Sequence, residues 1–265
     1  MQHANELLAA DEPGPFEVIE GNIRSPYVIL CDHAMNRVPR ALGSLGLAAS
    51  ELERHIAWDI GASSLARALA SKLDAWLILQ NYSRLVIDCN RPLTSADSIA
   101  LHSEDTLIPG NQNLSRTEQT QRARSIFEPY HEQIRCTLDA RAANKQSSLL
   151  LFVHSFTPRF RGIARPWHAG VLYHEDLRLA LPVLRGLRRD ASLVIGENQP
   201  YQASKLTDYG LIEHGERRGL PCVELEVRQD LLATRNDQAI WAERLARVVV
   251  ESAVFSDWAQ PQPTS

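Results

Sequence analysis

The stretch that decides the reading of this chain is Leu149-Leu150-Leu151-Phe152-Val153, followed at once by His154-Ser155-Phe156. Five uncharged apolar residues in a row describe a strand buried on both faces, the pattern of a parallel sheet covered by helices on each side. A histidine at the end of such a strand is a polar group delivered to the rim of a buried sheet. Two other segments repeat the arrangement. Tyr27–Cys31 (YVILC) is followed by Asp32-His33-Ala34-Met35-Asn36-Arg37, and Arg84–Asp88 (RLVID) by Cys89-Asn90-Arg91-Pro92. In open α/β sheets, ligands bind in the crevice outside the strands' carboxyl ends, so these three sets of polar residues are expected to converge on one site.

Working outward, strand-like and helix-like segments alternate. Trp76–Gln80, Leu193–Ile195 and Cys222–Arg228 read as further strands. Ser50 with Glu53 and Ser115 with Glu118 form capping-box patterns that open helices running to about Lys72 and Asn144. Leu206–Arg218 has a helical pattern closed by Gly219 and Pro221, and Asn236 caps a last helix to about Phe255. This alternation predicts an α/β fold with a mixed, mostly parallel sheet. The expected organisation is a flexible N-terminus over 1–15, a single catalytic domain over 16–258 and a flexible tail over 259–265.

The 265 residues, 44% apolar and 23% charged, are enough for a full core without disulfide staples and exclude general disorder. A net charge of −4 and no basic stripe argue against nucleic acid as a partner. Cys31, Cys89, Cys136 and Cys222 form no CxxC pair, no apolar run reaches 18 residues, and the N-terminus lacks the pattern of a signal peptide. The expectation is a reduced cytoplasmic protein, away from membranes.

Each candidate site residue has a chemical and a plainer reading. His33 and His154 suit a divalent metal, zinc above all, or merely cap strand ends. In Cys222–Arg228, Glu224, Glu226 and Arg228 alternate with Val223, Leu225 and Val227, so two carboxylates and a guanidinium share one side of a strand. Facing solvent they are an ordinary polar face; facing the crevice, one glutamate is a natural general base and Arg228 a substrate-binding residue. Arg84, Asn90 and Arg91 can hold a carboxylate, or form a turn. Asp59, in the helical-looking HIAWDIGASSLARAL, either faces solvent or pairs with His55 one turn earlier.

Taken in order, CDHAMNRVP, HIAWDIGA, NYSRLVIDCNRP, the HSF after LLLFV, and HGERRGLPCVELEVRQDL resemble the N-formylglutamate amidohydrolase family over residues 27–231. That family is similar to zinc carboxypeptidases and aspartoacylase-like amidohydrolases. The resemblance implies a single three-layer domain with a central mixed sheet and a carboxypeptidase-like, zinc-exopeptidase fold. It implies that His33 and His154 bind zinc, that Asn90 and Arg91 hold a substrate carboxylate with Arg84 as a further substrate arginine, and that Glu226 assists the attacking water. The substrate implied is a small anionic N-acyl amino acid, N-formyl-L-glutamate, cleaved to formate and glutamate. One position departs from the carboxypeptidase His-x-x-Glu pattern: Asn36 stands where the ligand glutamate belongs, and Asp59 is the candidate third ligand. The missing glutamate also leaves room for a non-catalytic binder of anionic metabolites, and the fold for a peptidase removing C-terminal residues.

Overall fold

The computed structural model describes residues 7–254. Seven strands form one sheet: Phe16–Ile19 (β1), Tyr27–Cys31 (β2), Trp76–Gln80 (β3), Leu149–Phe156 (β4), Ala169–Leu172 (β5), Ile195–Glu197 (β6) and Cys222–Arg228 (β7). Their order is β1-β3-β2-β4-β7-β5-β6. The central pairs β3–β2, β2–β4 and β4–β7 are parallel; β1 runs antiparallel to β3, and β5 antiparallel to β7. The mixed, mostly parallel sheet expected from the apolar runs is the sheet observed.

Helices cover both faces, so side chains alternating along each strand enter two separate cores. On one face Ile29, Leu77, Leu151, Val223 and Leu225 pack against Ala62–Leu73 (α1) and Arg235–Val254, with help from Ala180–Leu187. On the other, Val28, Leu30, Ile78, Leu150 and Phe152 meet Tyr130, Ile134 and Leu138 of the long helical segment 116–143. Leu7 joins this second core. The capping box at Ser115 is present: its Oγ accepts from Glu118 N–H, and Glu118 Oε2 accepts from Ser115 N–H.

Several expectations are corrected. The helix expected from Ser50 to Lys72 is broken. One short turn at Ala49–Leu52 is followed by irregular chain to Gly61, and α1 starts only at Ala62. Gly61 has φ +84, and a Cβ there would lie 2.6 Å from Leu232 Cβ, so only glycine fits. His55 and Asp59 therefore share no helix face; His55 Nε2 faces Glu104 at 3.2 Å instead. Arg84–Asp88 is not a strand. Leu85, Val86 and Ile87 are buried as a turn, because both edges of β3 are already occupied by β1 and β2. The helix expected at Leu206–Arg218 begins only at Tyr209, and the last helix is capped by Thr234 Oγ1 accepting from Asp237 N–H, not by Asn236. The strand at 193–195 sits at Ile195–Glu197. Phe255 lies outside the described residues.

A buried histidine pair joins the long helical segment to the helix of Leu211–Gly215 beside the second core. His131 Nε2 donates to the Cys89 carbonyl at 2.9 Å, which leaves its Nδ1 to accept from His214 Nε2, also at 2.9 Å. Both rings are neutral in this arrangement. Burial, then Arg218 and Arg135, push the His214 imidazole down to about 3. The unfolded chain thus takes up a proton that the folded chain refuses between the ordinary histidine value of about 6.5 and 3. The stability from this pair is complete above pH 6.5 and drains away as pH falls. Between pH 6.5 and 5 wild type should lose about 2 kcal/mol more unfolding free energy than His214→Gln, measured by urea titration at each pH. Parallel pH curves for the two proteins would show that the pair does not act this way.

Candidate active site

The parallel pairing of β4 and β7 sets His154 opposite Glu226, two strands' ends carrying their polar residues side by side. His33 is the second residue after β2. Asp59 reaches them because its irregular segment is pinned to that loop, Asp59 N–H donating to the His33 carbonyl at 2.9 Å. The break in the expected helix is what brings this carboxylate to the sheet.

His33 and His154 are 5.0 Å apart between ring centroids. Asp59 Oδ2 lies 2.8 Å from His154 Nδ1 and 3.4 Å from His33 Nδ1. These three buried donors form a group compact enough to hold a metal ion. The donor set fits a divalent cation: two imidazoles and one carboxylate are the ligands of an open catalytic site. The tautomer fits as well. His33 Nε2 faces Asp88 Oδ1 at 2.7 Å, so its Nδ1 keeps the lone pair, and that Nδ1 is buried without a hydrogen-bond partner. Asp88 is fixed in turn by Arg84 at 2.8 Å and by the Asn90 N–H at 2.8 Å.

The electrostatics favour a cation at this point. Burial alone would lower the His154 imidazole, but the carboxylates of Glu224, Asp59 and Glu226 hold it well above its ordinary value. Burial works against the Asp59 carboxylate, yet His33 and His154 keep it ionised far below the usual range. Burial pushes Glu226 up to about 7, with His154 pulling the other way. Burial, and then Asp208, push Glu224 well above a normal carboxyl.

A cavity of about 590 Å³ opens over these groups, and His33, Asp59, Arg84, Asn90, Arg91 and His154 line it together with Glu224 and Glu226. The strand face carrying the two glutamates therefore looks into the crevice, not into solvent. Arg228 stands elsewhere. Its guanidinium bonds Asp230 at 2.8 Å and reaches the carbonyls of Arg165 and Trp167, outside the cavity. Asn36 is also turned away, its amide donating to the Leu52 carbonyl and to Glu53 Oε1. Arg84 touches the cavity but spends its guanidinium on Asp88 and, at 3.5 Å, on Asp59. Sequence reasoning missed Asp88, although DCNR carries it two residues before Asn90. It also missed Asp32, which accepts from Tyr130 Oη at 2.5 Å and points its other oxygen at His154 Nε2, 3.9 Å away. The signal was present only as acids beside already suspect residues.

The family model for N-formylglutamate amidohydrolase matches residues 25–233. The crystal structure of gene product Atu2144 from Agrobacterium tumefaciens is 33% identical with TM-score 0.91, over 94% of this chain and 98% of that one. N-formylglutamate amidohydrolase from Ralstonia eutropha JMP134 shares the fold at TM-score 0.68 and 18% identity, over 92% of this chain and 98% of that one. No curated protein matches. The chain belongs to the N-formylglutamate amidohydrolase family. It is thus a hydrolase of amide bonds, the activity that defines the family. Among the described residues, no helix is long and apolar enough to cross a membrane.

The second-layer contact of Asp88 gives a direct test. Asp88→Asn keeps the shape but weakens the hold on His33, and the affinity for Zn²⁺, measured by chelator competition, should fall about 10–100-fold. His154→Ala should lose the ion altogether while retaining the wild-type circular dichroism spectrum. Wild-type affinity in Asp88→Asn would mean that His33 is oriented by something else.

Proposed function

We propose that this protein is a metal-dependent amidohydrolase of N-acyl amino acids. The observation that carries the reading is the buried His33–Asp59–His154 group with Glu226 beside it on the neighbouring strand. N-formyl-L-glutamate is the substrate suggested by the family name. His33, Asp59 and His154 hold the ion, and Zn²⁺ suits two imidazoles and a carboxylate. The absence of ligands at Asn36, which raised the non-catalytic reading, is offset by Asp59. A divalent ion in this position supplies the positive charge that polarises the scissile carbonyl and eases the deprotonation of water.

The chain's own residues do the rest. Glu226, buried with Oε2 lacking a partner, takes the proton from the attacking water. The water oxygen bonds to the acyl carbon, the C–N bond breaks, and Glu226 returns the proton to the leaving nitrogen. The products are a carboxylate and a free amino acid. Asn90 and Arg91 orient the substrate's α-carboxylate. Asn90 Oδ1 accepts from Gly210 N–H at 3.2 Å, so the amide presents its NH₂ end as the donor. Arg84 acts from behind by keeping Asp88 ionised and in place. The reduced cysteines and the absence of an apolar span among the described helices suit a cytoplasmic enzyme.

Two substitutions separate the base from its neighbour. Glu226→Gln preserves shape but accepts no proton, and kcat should fall by about 10² or more while bound Zn²⁺ stays at wild-type content. Arg91→Ala should instead raise KM with a smaller change in kcat. If Glu224→Gln is the dead variant and Glu226→Gln is active, the base is Glu224. Normal turnover in both variants, or full activity after exhaustive chelation, would remove the mechanism.

A further inference from the structure

Resting on that amidohydrolase reading, we infer that the amino-acid side chain of the substrate ends in an N–H donor, a guanidinium or ammonium above all, and that Glu224 and Asp208 select it. The inference starts from what surrounds the α-carboxylate clamp. Arg91 donates to the Thr207 carbonyl, and Asn90 is joined to the same segment through the Tyr209 and Gly210 N–H groups. An amino acid held by Arg91 and Asn90 therefore has its Cα beside residues 207–210. The next groups along the cavity wall are Asp208, 5% exposed, and Glu224, 3% exposed.

Asp208 is near enough to push the Glu224 carboxyl up, and among the described residues neither acid is in an ion pair with an arginine or lysine. Asp208 Oδ2 accepts from Ser204 N–H and from Thr207 Oγ1. Glu224 Oε2 is buried with no hydrogen-bond partner at all. A buried acceptor without a donor is costly, and a ligand that brings a donor into the cavity removes that cost. Glu226, the base, is two residues from Glu224 on the same strand face and needs no partner beyond water. Glu224 has no such task, and it stands deeper along β7, opposite Phe152 rather than His154.

The cations of the cavity are already engaged. Among the described residues, only Arg84 and Arg91 line it as permanent positive charges; Arg84 is paired with Asp88 and Asp59, and Arg91 serves the α-carboxylate. Burial keeps the His55 imidazole low, and it faces Glu104. His102, at the exposed rim, is the remaining imidazole apart from the metal ligands. A second carboxylate on the substrate would meet Asp208, with no free arginine or lysine of the described lining to receive it. A guanidinium or ammonium would give Glu224 Oε2 its missing donor, and a carboxamide would do so more weakly.

The experiment compares kcat/KM of the Zn²⁺-loaded enzyme for N-formyl-L-arginine, N-formyl-L-lysine, N-formyl-L-glutamine and N-formyl-L-glutamate. It is paired with calorimetric binding of free L-arginine and L-glutamate. The expected order is arginine and lysine, then glutamine, then glutamate, with about a hundredfold between the ends. Free L-arginine should bind more tightly than L-glutamate. The arginine-to-glutamate ratio should fall at least about tenfold in both Asp208→Asn and Glu224→Gln; as a ratio, it is insensitive to a general loss of activity. N-formyl-L-glutamate turned over as well as the arginine substrate would overturn the inference and leave the amidohydrolase intact. If no N-acyl amino acid is turned over, it is the amidohydrolase that fails. The binding comparison then decides the inference alone, and tighter L-glutamate binding overturns it. An unchanged ratio in both variants overturns the assignment to Glu224 and Asp208.

Discussion

The site depends on one register: β4 and β7 run parallel with His154 opposite Glu226. A strand's side chains alternate, so this single match decides which residues of both strands look into the crevice. Leu150 and Phe152 lie under the cavity on the same face as His154, and Cys222 and Glu224 on the same face as Glu226. A slip of one residue would put Leu225 and Val227 beside His33 and His154 and turn both glutamates into the opposite core, where α1 and the last helix pack. Because both faces are covered by apolar helices, that slip is strongly opposed. The chemistry is thus protected by packing distant from it.

Burying so many charges in one place has a second requirement. Asp32, Asp59, Asp88, Glu224 and Glu226 are all 5% exposed or less, and isolated carboxylates are not stable in such surroundings. The fold answers unevenly. Asp88 has Arg84, His33 and a backbone N–H; Asp59 has both histidines; Asp32 has Tyr130. Asp59 and Asp88 are satisfied by the chain and hold a geometry. Asp32, Glu224 and Glu226 each keep an oxygen without a hydrogen-bond partner. The division is between groups that build the site and groups left open to what enters it.

How much of this was legible in the sequence follows from the same distinction. The sheet was, because continuous apolar runs such as YVILC, WLILQ and LLLFV have few other readings, and the polar residues after them marked the rim. The strand of alternating glutamates was legible too, although its direction was not: CVELEVR looks the same whether its acids face water or a cavity. Asp59 was suspected for the wrong conformation. Its segment has helical spacing, and only the positive φ of Gly61 and the bond to the His33 carbonyl break the helix there. RLVID was misread as a strand because apolar burial was present without a free strand edge to pair with. Arg228 was grouped with the glutamates by alternation, but it lies at the strand's end, where Asp230 and two carbonyls compete for its guanidinium. β5 went unread because four residues including a glycine carry little periodicity.

That glycine bears on how the cavity is divided. Gly170 is the partner of Glu226 across the antiparallel β5–β7 pair, and a Cβ there would fall 1.9 Å from the Gln199 carbonyl oxygen. The missing side chain lets the 199–201 segment cross directly over the sheet and sets Tyr201 and Gln202 at the cavity wall. The chain then continues through the turn that presents Thr207 and Asp208. One half of the cavity is therefore made by strand ends and their immediate loops, whose positions are set by the sheet register. The other half is made by a crossing segment held by a few backbone contacts to Asn90 and β5. Rigid elements hold catalytic geometry more precisely than loops do, while loops change residues without disturbing the core. Glu224 and Glu226 stand on the first part and Asp208 on the second, so exchanges along the crossing segment can reshape that wall of the cavity while the sheet register keeps His154 and the two glutamates in place.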